Sequence, residues 1–185
     1  GARELLDNAL QVAADRHCSS LHLQFIDPQE ADILASSGLM LRKDCQFHWR
    51  NRNYRSFDEF LASFSSAKRR KARQDRRYVA EQGISFRRLD GSQVNTAIWA
   101  SVHELISSTF RRHGSVPYFN LAFFVELSRL LPQQVLLILA ERERKTIAAA
   151  VFYVSETSLY GRYWGADGDY NALHFETCYY QGIDY

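Results

Sequence analysis

The sequence predicts an α/β fold in which a largely antiparallel sheet is flanked by helices. Two patterns predict it: helix-like and strand-like apolar spacings alternate along the first half of the chain, and residues 135–165 contain three strand-like runs joined by short polar turns. Of the 185 residues, 46% are hydrophobic and 14% aromatic, which is enough to bury a core and argues against a disordered chain. The length fits one domain or parts of two.

The first 54 residues are predicted to alternate helices and strands. Apolar spacing predicts a helix over residues 3–16, and strands over residues 21–25 and within residues 39–51. A second helix is predicted between the two strands, with Asp27 as its N-cap and Gly38 as its stop.

Residues 55–82 are predicted to form one long helix. It opens with a capping box of Ser56 and Glu59, and its first half carries an apolar face. The face consists of Phe57, Phe60, Leu61 and Phe64. The apolar stripe then fails, because its continuation falls on Ala72 and Asp75. The second half is therefore predicted to project from the core.

The rest of the chain is predicted to add a strand, two helices, a three-stranded meander and a last helix. The strand covers residues 84–89, and the helices cover residues 95–113 and 121–131. Arg112 suits the negative end of the first of these helices. The first strand of the meander, from Val135, is apolar throughout and is predicted to be central.

Positive charge is concentrated in one segment. Residues 68–77 hold seven Lys and Arg against one Asp, a local charge of +6, so the rest of the chain carries −4 of the net +2. Two interpretations stay open: a solvated helix face, or a docking surface for a phosphate-rich partner. In the second, the candidate anion-binding residues are Lys68, Arg69, Arg73 and Arg76, of which the arginines share one stripe.

The cysteines and the chain ends bear on location. Three widely spaced cysteines without a CxxC pair argue for a reducing compartment and against a disulfide framework or zinc site. The sequence has neither an apolar run of roughly 20 residues nor a signal peptide, so we expect a cytoplasmic protein without a membrane span. It begins without Met and ends in what resembles an unfinished helix, so we expect a fragment of a longer protein.

The segment "LYGRYWG", residues 159–165, places an arginine in an otherwise apolar strand. Strict alternation puts Tyr160, Arg162 and Trp164 on one face, with the guanidinium between two rings. One interpretation is a stacked cation that covers the sheet. The other is a holder for a substrate anion or carboxylate, since a guanidinium makes two parallel hydrogen bonds in fixed geometry.

The segment "RYWGAD", residues 162–167, is the nearest match to the [QR]xxGx[GA] loop that binds the CoA pyrophosphate. Asp167 stands where Gly or Ala is required, and Asp169 adds a second carboxylate. Both charges repel a pyrophosphate, so the sequence predicts neither a standard CoA loop nor a tightly bound cofactor.

The last helix, predicted from about Asn171, carries the candidate proton-transfer groups. It is predicted to place a polar stripe of His174, Cys178 and Gln181 opposite an apolar one of Phe175, Tyr179 and Ile183. His174 or Glu176 is the candidate general base, near the end of the sheet. A core histidine with a satisfied hydrogen bond is the alternative for His174. Two potential ligands without a third predict no metal site.

Four segments together resemble the FemAB-like predicted N-acyltransferases of bacteria, a branch of the GNAT superfamily associated with peptidoglycan biosynthesis or recognition. They are "QFHWRNRNYRSFDEFL", "KRRKARQDRRYVAEQGI", "VPYFNLAFF" and "LYGRYWGADGDYNALHFETCYYQGIDY". The resemblance implies two GNAT-like lobes: residues 1–54 as the end of the first, and residues 55–185 as a second that is incomplete at its C-terminal end. It places Tyr118, Arg162, Trp164, His174 and Glu176 among the characteristic positions of the family.

The resemblance also implies a function. It indicates transfer of an acyl or aminoacyl group, from acyl-CoA or aminoacyl-tRNA, to an amine acceptor such as a peptidoglycan precursor. In that interpretation Tyr118, Tyr160, Arg162 and Trp164 bind substrate, and the fragment alone is expected to be inactive. The alternative is a non-catalytic module that recognises a polyanion or a cell-wall fragment through residues 68–77.

Overall fold

The computed structural model describes residues 1–43 and 45–185. The described chain forms two compact units, Gly1–Asn51 and Arg52–Tyr185. Within these residues, none of the helices combines the length and apolar composition that spanning a bilayer requires.

The first unit contains two helices, α1 (Ala2–Asp15) and α2 (Pro28–Ser36). Both form where apolar spacing predicts them. The Asp27 carboxylate caps α2 by accepting a hydrogen bond of 2.8 Å from the Gln29 N–H, which satisfies one of the donors left free in the first turn.

The two strands predicted in this unit do not form among its described residues, so that prediction is wrong. Residues 21–25 and 39–43 lack strand pairing, as do residues 45–51, while Asp44 lies outside the described residues. Phe25 is 93% exposed and Met40 is 96% exposed, so their apolar side chains gain nothing from an extended backbone. An alternating pattern specifies a strand only when a neighbouring strand and a buried face are available.

The second unit contains a four-stranded antiparallel sheet, β1 (Ser85–Asp90), β2 (Val135–Arg142), β3 (Lys145–Val154) and β4 (Leu159–Ala166), in the order β1-β2-β3-β4. The predicted meander is confirmed, as is the central position of β2, whose first six residues are all buried. With its helices, the chain is a mixed α/β protein.

Helices α5 (Thr96–Arg112) and α6 (Leu121–Leu130) cover one face of the sheet. Their cluster is built from aliphatic and aromatic side chains of both helices and all four strands, including Trp99, Val102, Ile106, Phe124, Leu137, Val151 and Tyr163. The Trp99 indole donates a buried hydrogen bond of 2.8 Å to Ser128 Oγ, which satisfies both polar groups inside this core.

The predicted long helix is two helices, α3 (Phe57–Ala62) and α4 (Ser66–Glu81). The prediction that the second half projects from the core is wrong, because Ala72, Asp75 and Val79 are buried. The small side chain of Ala72 allows close packing, and Lys71 Nζ satisfies the Asp75 carboxylate at 2.7 Å. The local sequence does not reveal the buried face of α4, because the residues that pack against it come from distant segments.

The last helix consists of α7 (Leu173–Phe175), a π-helical segment (Glu176–Tyr180) and α8 (Gln181–Ile183). Its buried positions include Glu176, Thr177 and Gln181, whereas Phe175 is 54% exposed and Tyr179 is 42% exposed. The predicted apolar stripe is therefore not the buried face. The wider π turn changes the 3.6-residue period on which that prediction was based.

Strand β4 contains a β-bulge at Arg162. Tyr163 lies opposite Val151 on β3 and Gly161 lies opposite Phe152, so Arg162 is an extra residue in β4. The predicted alternation is wrong across this point. Tyr160 and Trp164 therefore lie on opposite faces, since Tyr160 pairs with a residue that packs against the α5/α6 cluster, and Trp164 packs against the clusters on the other face.

Gly165 lets α5 approach β4 directly. A Cβ at this position would lie 2.2 Å from the backbone carbonyl carbon of Leu105, so no side chain fits. By contrast, a Cβ at Gly168 would make an ordinary contact of 3.4 Å with the Tyr170 ring.

We predict that Gly165→Ala lowers the free energy of unfolding by about 3 kcal/mol or more, because helix and strand must separate. Gly168→Ala is the matched control and should unfold close to wild type. Urea denaturation followed by circular dichroism measures both, and equal stability of the two variants would contradict the close packing of α5 on β4.

Candidate functional site

A polar pocket of about 290 Å³ lies where α5 ends, β4 ends and the last helix begins. It is lined by Arg112, Trp164, Ala166, Gly168, Asp169, Tyr170, Leu173 and His174. The pocket combines a guanidinium, the Asp169 carboxylate, an imidazole and an indole, which is the mixture of groups expected where a polar substrate is bound and a proton is moved.

His174 is the candidate proton acceptor of this pocket. Its ring meets the Trp164 ring edge to face, with the centroids 5.2 Å apart, and the rings of Phe175 and Tyr179 lie on its other sides, each with its centroid 5.8 Å away. Partial burial among these rings lowers the pKa of His174 below its ordinary value. The imidazole is therefore neutral near pH 7 and keeps enough exposed surface to accept a proton from a substrate.

Arg112 supplies the positive charge of the pocket. Its guanidinium donates hydrogen bonds to Thr109 Oγ1 at 3.1 Å and to the Ala166 carbonyl at 3.5 Å, which fix it beside the end of β4. Sequence reasoning gave this residue only a helix-terminal role. Its part in the pocket depends on the contact between α5 and β4, which no local pattern reveals.

Asp167, the residue that breaks the CoA-binding pattern, is held by neighbours. Burial raises the pKa of its carboxyl, but hydrogen bonds from Lys145 at 2.8 Å and Tyr170 at 2.9 Å outweigh burial, and the net pKa is lowered. Its N–H donates to the Ile147 carbonyl at 2.9 Å. This backbone donor is therefore already used within the sheet and does not point at a pyrophosphate.

Glu176, the other candidate base, lies outside the pocket. It is 2% exposed, and its Oε1 accepts a hydrogen bond from Gln181 Nε2 at 2.7 Å and pairs with Arg76 at 3.2 Å. The structure therefore separates the two candidates: His174 lines the pocket, and Glu176 anchors the last helix to α4.

The three arginines of the predicted anion-binding stripe each have partners within the chain. Arg76 lies over the Phe57 ring at 4.3 Å, in addition to its pair with a buried carboxylate. Arg69 donates to the Phe64 carbonyl at 3.1 Å, at the turn between α3 and α4. Arg73 pairs with Asp58 at 3.2 Å on the surface, where such pairs are weak, and Lys68 is exposed.

Arg162 lies over a different pair of rings from the predicted one. Its guanidinium carbon is 4.8 Å from the Tyr163 centroid and 5.9 Å from the Tyr118 centroid. Tyr160 is 56% exposed on the edge strand. Sequence reasoning missed Tyr163 because strict alternation assigns it to the other face, and a glycine such as Gly161 is only a weak sign of a bulge.

The structure therefore combines a mixed α/β fold with a pocket that holds an imidazole and a guanidinium. The family model for FemAB-like proteins, described as peptidoglycan biosynthesis/recognition, matches residues 1–185, the whole chain. The chain therefore belongs to the FemAB-like family, as its motifs predict. No curated protein matches it.

We predict that Arg76→Ala lowers the free energy of unfolding by about 3–5 kcal/mol, because it leaves the buried Glu176 carboxylate without its cation. Arg77→Ala, on the exposed face of the same helix, is the matched control and should change stability by less than about 0.5 kcal/mol. Chemical denaturation compares the two variants. A loss for Arg76→Ala as small as the control's would show that the buried pair does not hold the last helix.

Proposed function

We propose that this FemAB-like chain carries the acceptor-activating site of a GNAT-like N-acyltransferase, which transfers an acyl or aminoacyl group to an amine in peptidoglycan-related metabolism. The observation that carries the proposal is the placement of His174, packed against Trp164, in a pocket that Arg112 also lines. Family membership supplies the association with peptidoglycan.

In the proposed reaction, the imidazole of His174 takes the proton that an amine must lose as it attacks the donor carbonyl. A bond forms between the amine nitrogen and the carbonyl carbon, the bond from that carbon to the donor's sulfur or oxygen breaks, and the proton passes to the leaving group. The edge-to-face contact with Trp164 restricts the orientation of the imidazole. Arg112 stabilises negative charge in the pocket.

Both acyl-CoA and aminoacyl-tRNA remain candidate donors. The Asp167 N–H is used by β3, which disfavours the usual pyrophosphate contact at this loop. The exposed Lys68 and the weakly paired Arg73 offer positive charge to a phosphate-rich donor instead. Because both donors occur in the cytoplasm, the proposal includes a cytoplasmic location.

A transfer assay tests the proposal. The full-length protein is incubated with labelled acyl-CoA or aminoacyl-tRNA and a muramyl peptide that bears a free amine. His174→Gln should lower kcat by about 10²- to 10⁴-fold, the usual contribution of a positioned base, with little change in KM or Tm. His113→Gln, at the end of α5 and outside the residues that line the pocket, is the control. Wild-type turnover by His174→Gln would remove His174 from the chemistry.

The pH profile gives a second test. A base must be unprotonated to act, and the pKa of His174 is lowered by burial, so the group stays active below the pKa of a free histidine, about 6.5. We predict that kcat/KM is constant near pH 7 and falls on the acid side with a midpoint below 6.5. Activity that rises as the pH falls through this range would contradict a neutral base.

The alternative, a binding module without catalysis, predicts a different pattern. Binding to a polyanion would weaken steeply with salt and would be lost when Lys68 and Arg73 are changed to Glu. These two positions test the surface better than Arg69 or Arg76, whose partners lie within the fold. Salt-sensitive binding with no transfer under any donor would favour this alternative.

A further inference from the structure

The bulge in β4 places Arg162 at an open edge of the sheet. Among the described residues, strand β4 pairs only with β3, and the bulge leaves Arg162 without a partner in the regular ladder. Bulges at sheet edges commonly redirect a functional side chain in this way. Arg162 is exposed, although the residues that follow it in the strand are mostly buried.

Aromatic rings contact the guanidinium of Arg162, but no described carboxylate forms an ion pair with it. It lies over the rings of Tyr163 and Tyr118, which restrict its movement through cation–π contacts. Within residues 1–43 and 45–185, no acidic side chain forms an ion pair with it. The guanidinium presents a planar set of N–H donors, and the two rings fix its orientation. Without a neutralising carboxylate among the described residues, it suits an anion that accepts two parallel hydrogen bonds.

The hydroxyl of Tyr163 adds a second, independent observation. Tyr163 is 6% exposed, and its Oη is buried without a hydrogen-bond partner in the described part of the chain. An unsatisfied buried hydroxyl costs about 1–3 kcal/mol, so its presence requires an explanation. Because the guanidinium of Arg162 lies over the same ring, a ligand bound by Arg162 is a candidate partner for this hydroxyl.

The charge around Arg162 selects the kind of anion. Burial raises the pKa of both Tyr153 and Tyr163, so these phenols stay neutral and contribute no charge. One guanidinium among neutral aromatic groups balances a single negative charge, and its planar pair of donors matches the two oxygens of a carboxylate. A phosphate group carries up to two charges and is usually bound by several cations or a run of backbone N–H groups.

We propose that Arg162, Tyr118 and Tyr163 form a carboxylate-binding subsite that takes a free carboxylate of a peptide. That the peptide is the amine acceptor rests on the proposed function. The subsite lies on the side of β4 that faces α5 and α6, whereas Trp164 turns toward His174 on the other side. An acceptor bound at both places would span β4, with its amine in the His174 pocket and its carboxylate at Arg162 on the edge of the sheet.

Nuclear magnetic resonance (NMR) titration tests the subsite by binding alone. N-acetyl-D-alanine is added to the ¹⁵N-labelled chain while the Arg162 Nε signal is followed, and N-acetyl-D-alanine amide is the matched neutral probe. We expect a saturable shift with the acid and none with the amide. Equal shifts with both probes would overturn the proposal, and so would tighter binding of inorganic phosphate than of the acid.

Three variants locate the subsite, with backbone signals of the same residues used to follow binding. Arg162→Lys keeps the charge but loses the fork, and we expect the Kd for the acid to rise at least tenfold; Arg162→Gln should abolish saturable binding. Tyr163→Phe should raise the Kd severalfold without lowering the Tm, because it removes only an unpaired hydroxyl. A wild-type Kd in Arg162→Gln or in Tyr163→Phe would contradict the subsite.

His174→Gln separates this inference from the proposed function. It should bind the acid with the wild-type Kd, because His174 is not part of the subsite. Absence of saturable acid binding to the wild-type chain, with transfer intact, would refute the subsite alone. Intact carboxylate binding without transfer would refute the proposed function alone.

Discussion

The extra residue at Arg162 is the constraint on which the rest of the second unit depends. Without it, Arg162 would lie opposite Val151 in the core beneath α5 and α6, and Trp164 would face the backbone of α5. The position opposite Ala149, now held by Gly165, has no room for a side chain because it lies against the backbone of α5. The bulge therefore places Tyr163 in the core, Trp164 against His174 and Gly165 under the helix, and it leaves the guanidinium at the sheet edge.

The last helix depends on a second irregularity of the same kind. Its π turn aligns residues five apart, and Gln181 reaches back to Glu176 across that spacing. Arg76 from α4 pairs with the same Glu176 oxygen, Oε1, while Oε2 is buried without a hydrogen-bond partner among the described residues. A buried ion pair contributes little net stability but penalises other arrangements, because each would leave a charge unpaired. The pair thus fixes the rotation of the helix that carries His174, and with it the shape of the pocket.

Local pattern predicted the elements whose partners are close in sequence or whose signals are strong. Helices α5 and α6 form where apolar spacing predicts them, with Asn95 and Asn120 as their caps, and the short polar turns set the antiparallel meander. The motifs also identified the family. The strand predicted at residues 21–25 does not form, since an alternating pattern does not reveal whether a neighbouring strand exists. Helix α4 was wrongly predicted to project from the core, because its buried face includes a carboxylate.

The site was predicted only in part, for a related reason. Each of the two irregularities shifts the side-chain period by one residue, and such a shift has almost no signature in a single sequence. His174 and Arg162 were recognised as candidates from their residue types, but their neighbours were not. Tyr163 lies beside Arg162 only because β4 is bulged. Arg112 lies in the His174 pocket only because α5 touches β4.

Interstrand backbone nuclear Overhauser effects (NOEs) between β3 and β4 in the isotopically labelled protein test the central claim most directly. The account predicts cross-strand contacts of Val151 with Tyr163 and of Phe152 with Gly161, and none that pair Arg162 with a single residue of β3. Contacts that pair Val151 with Arg162 and Ala149 with Trp164 would describe a regular ladder. That result would contradict the bulge and, with it, the division of the site between two faces of β4.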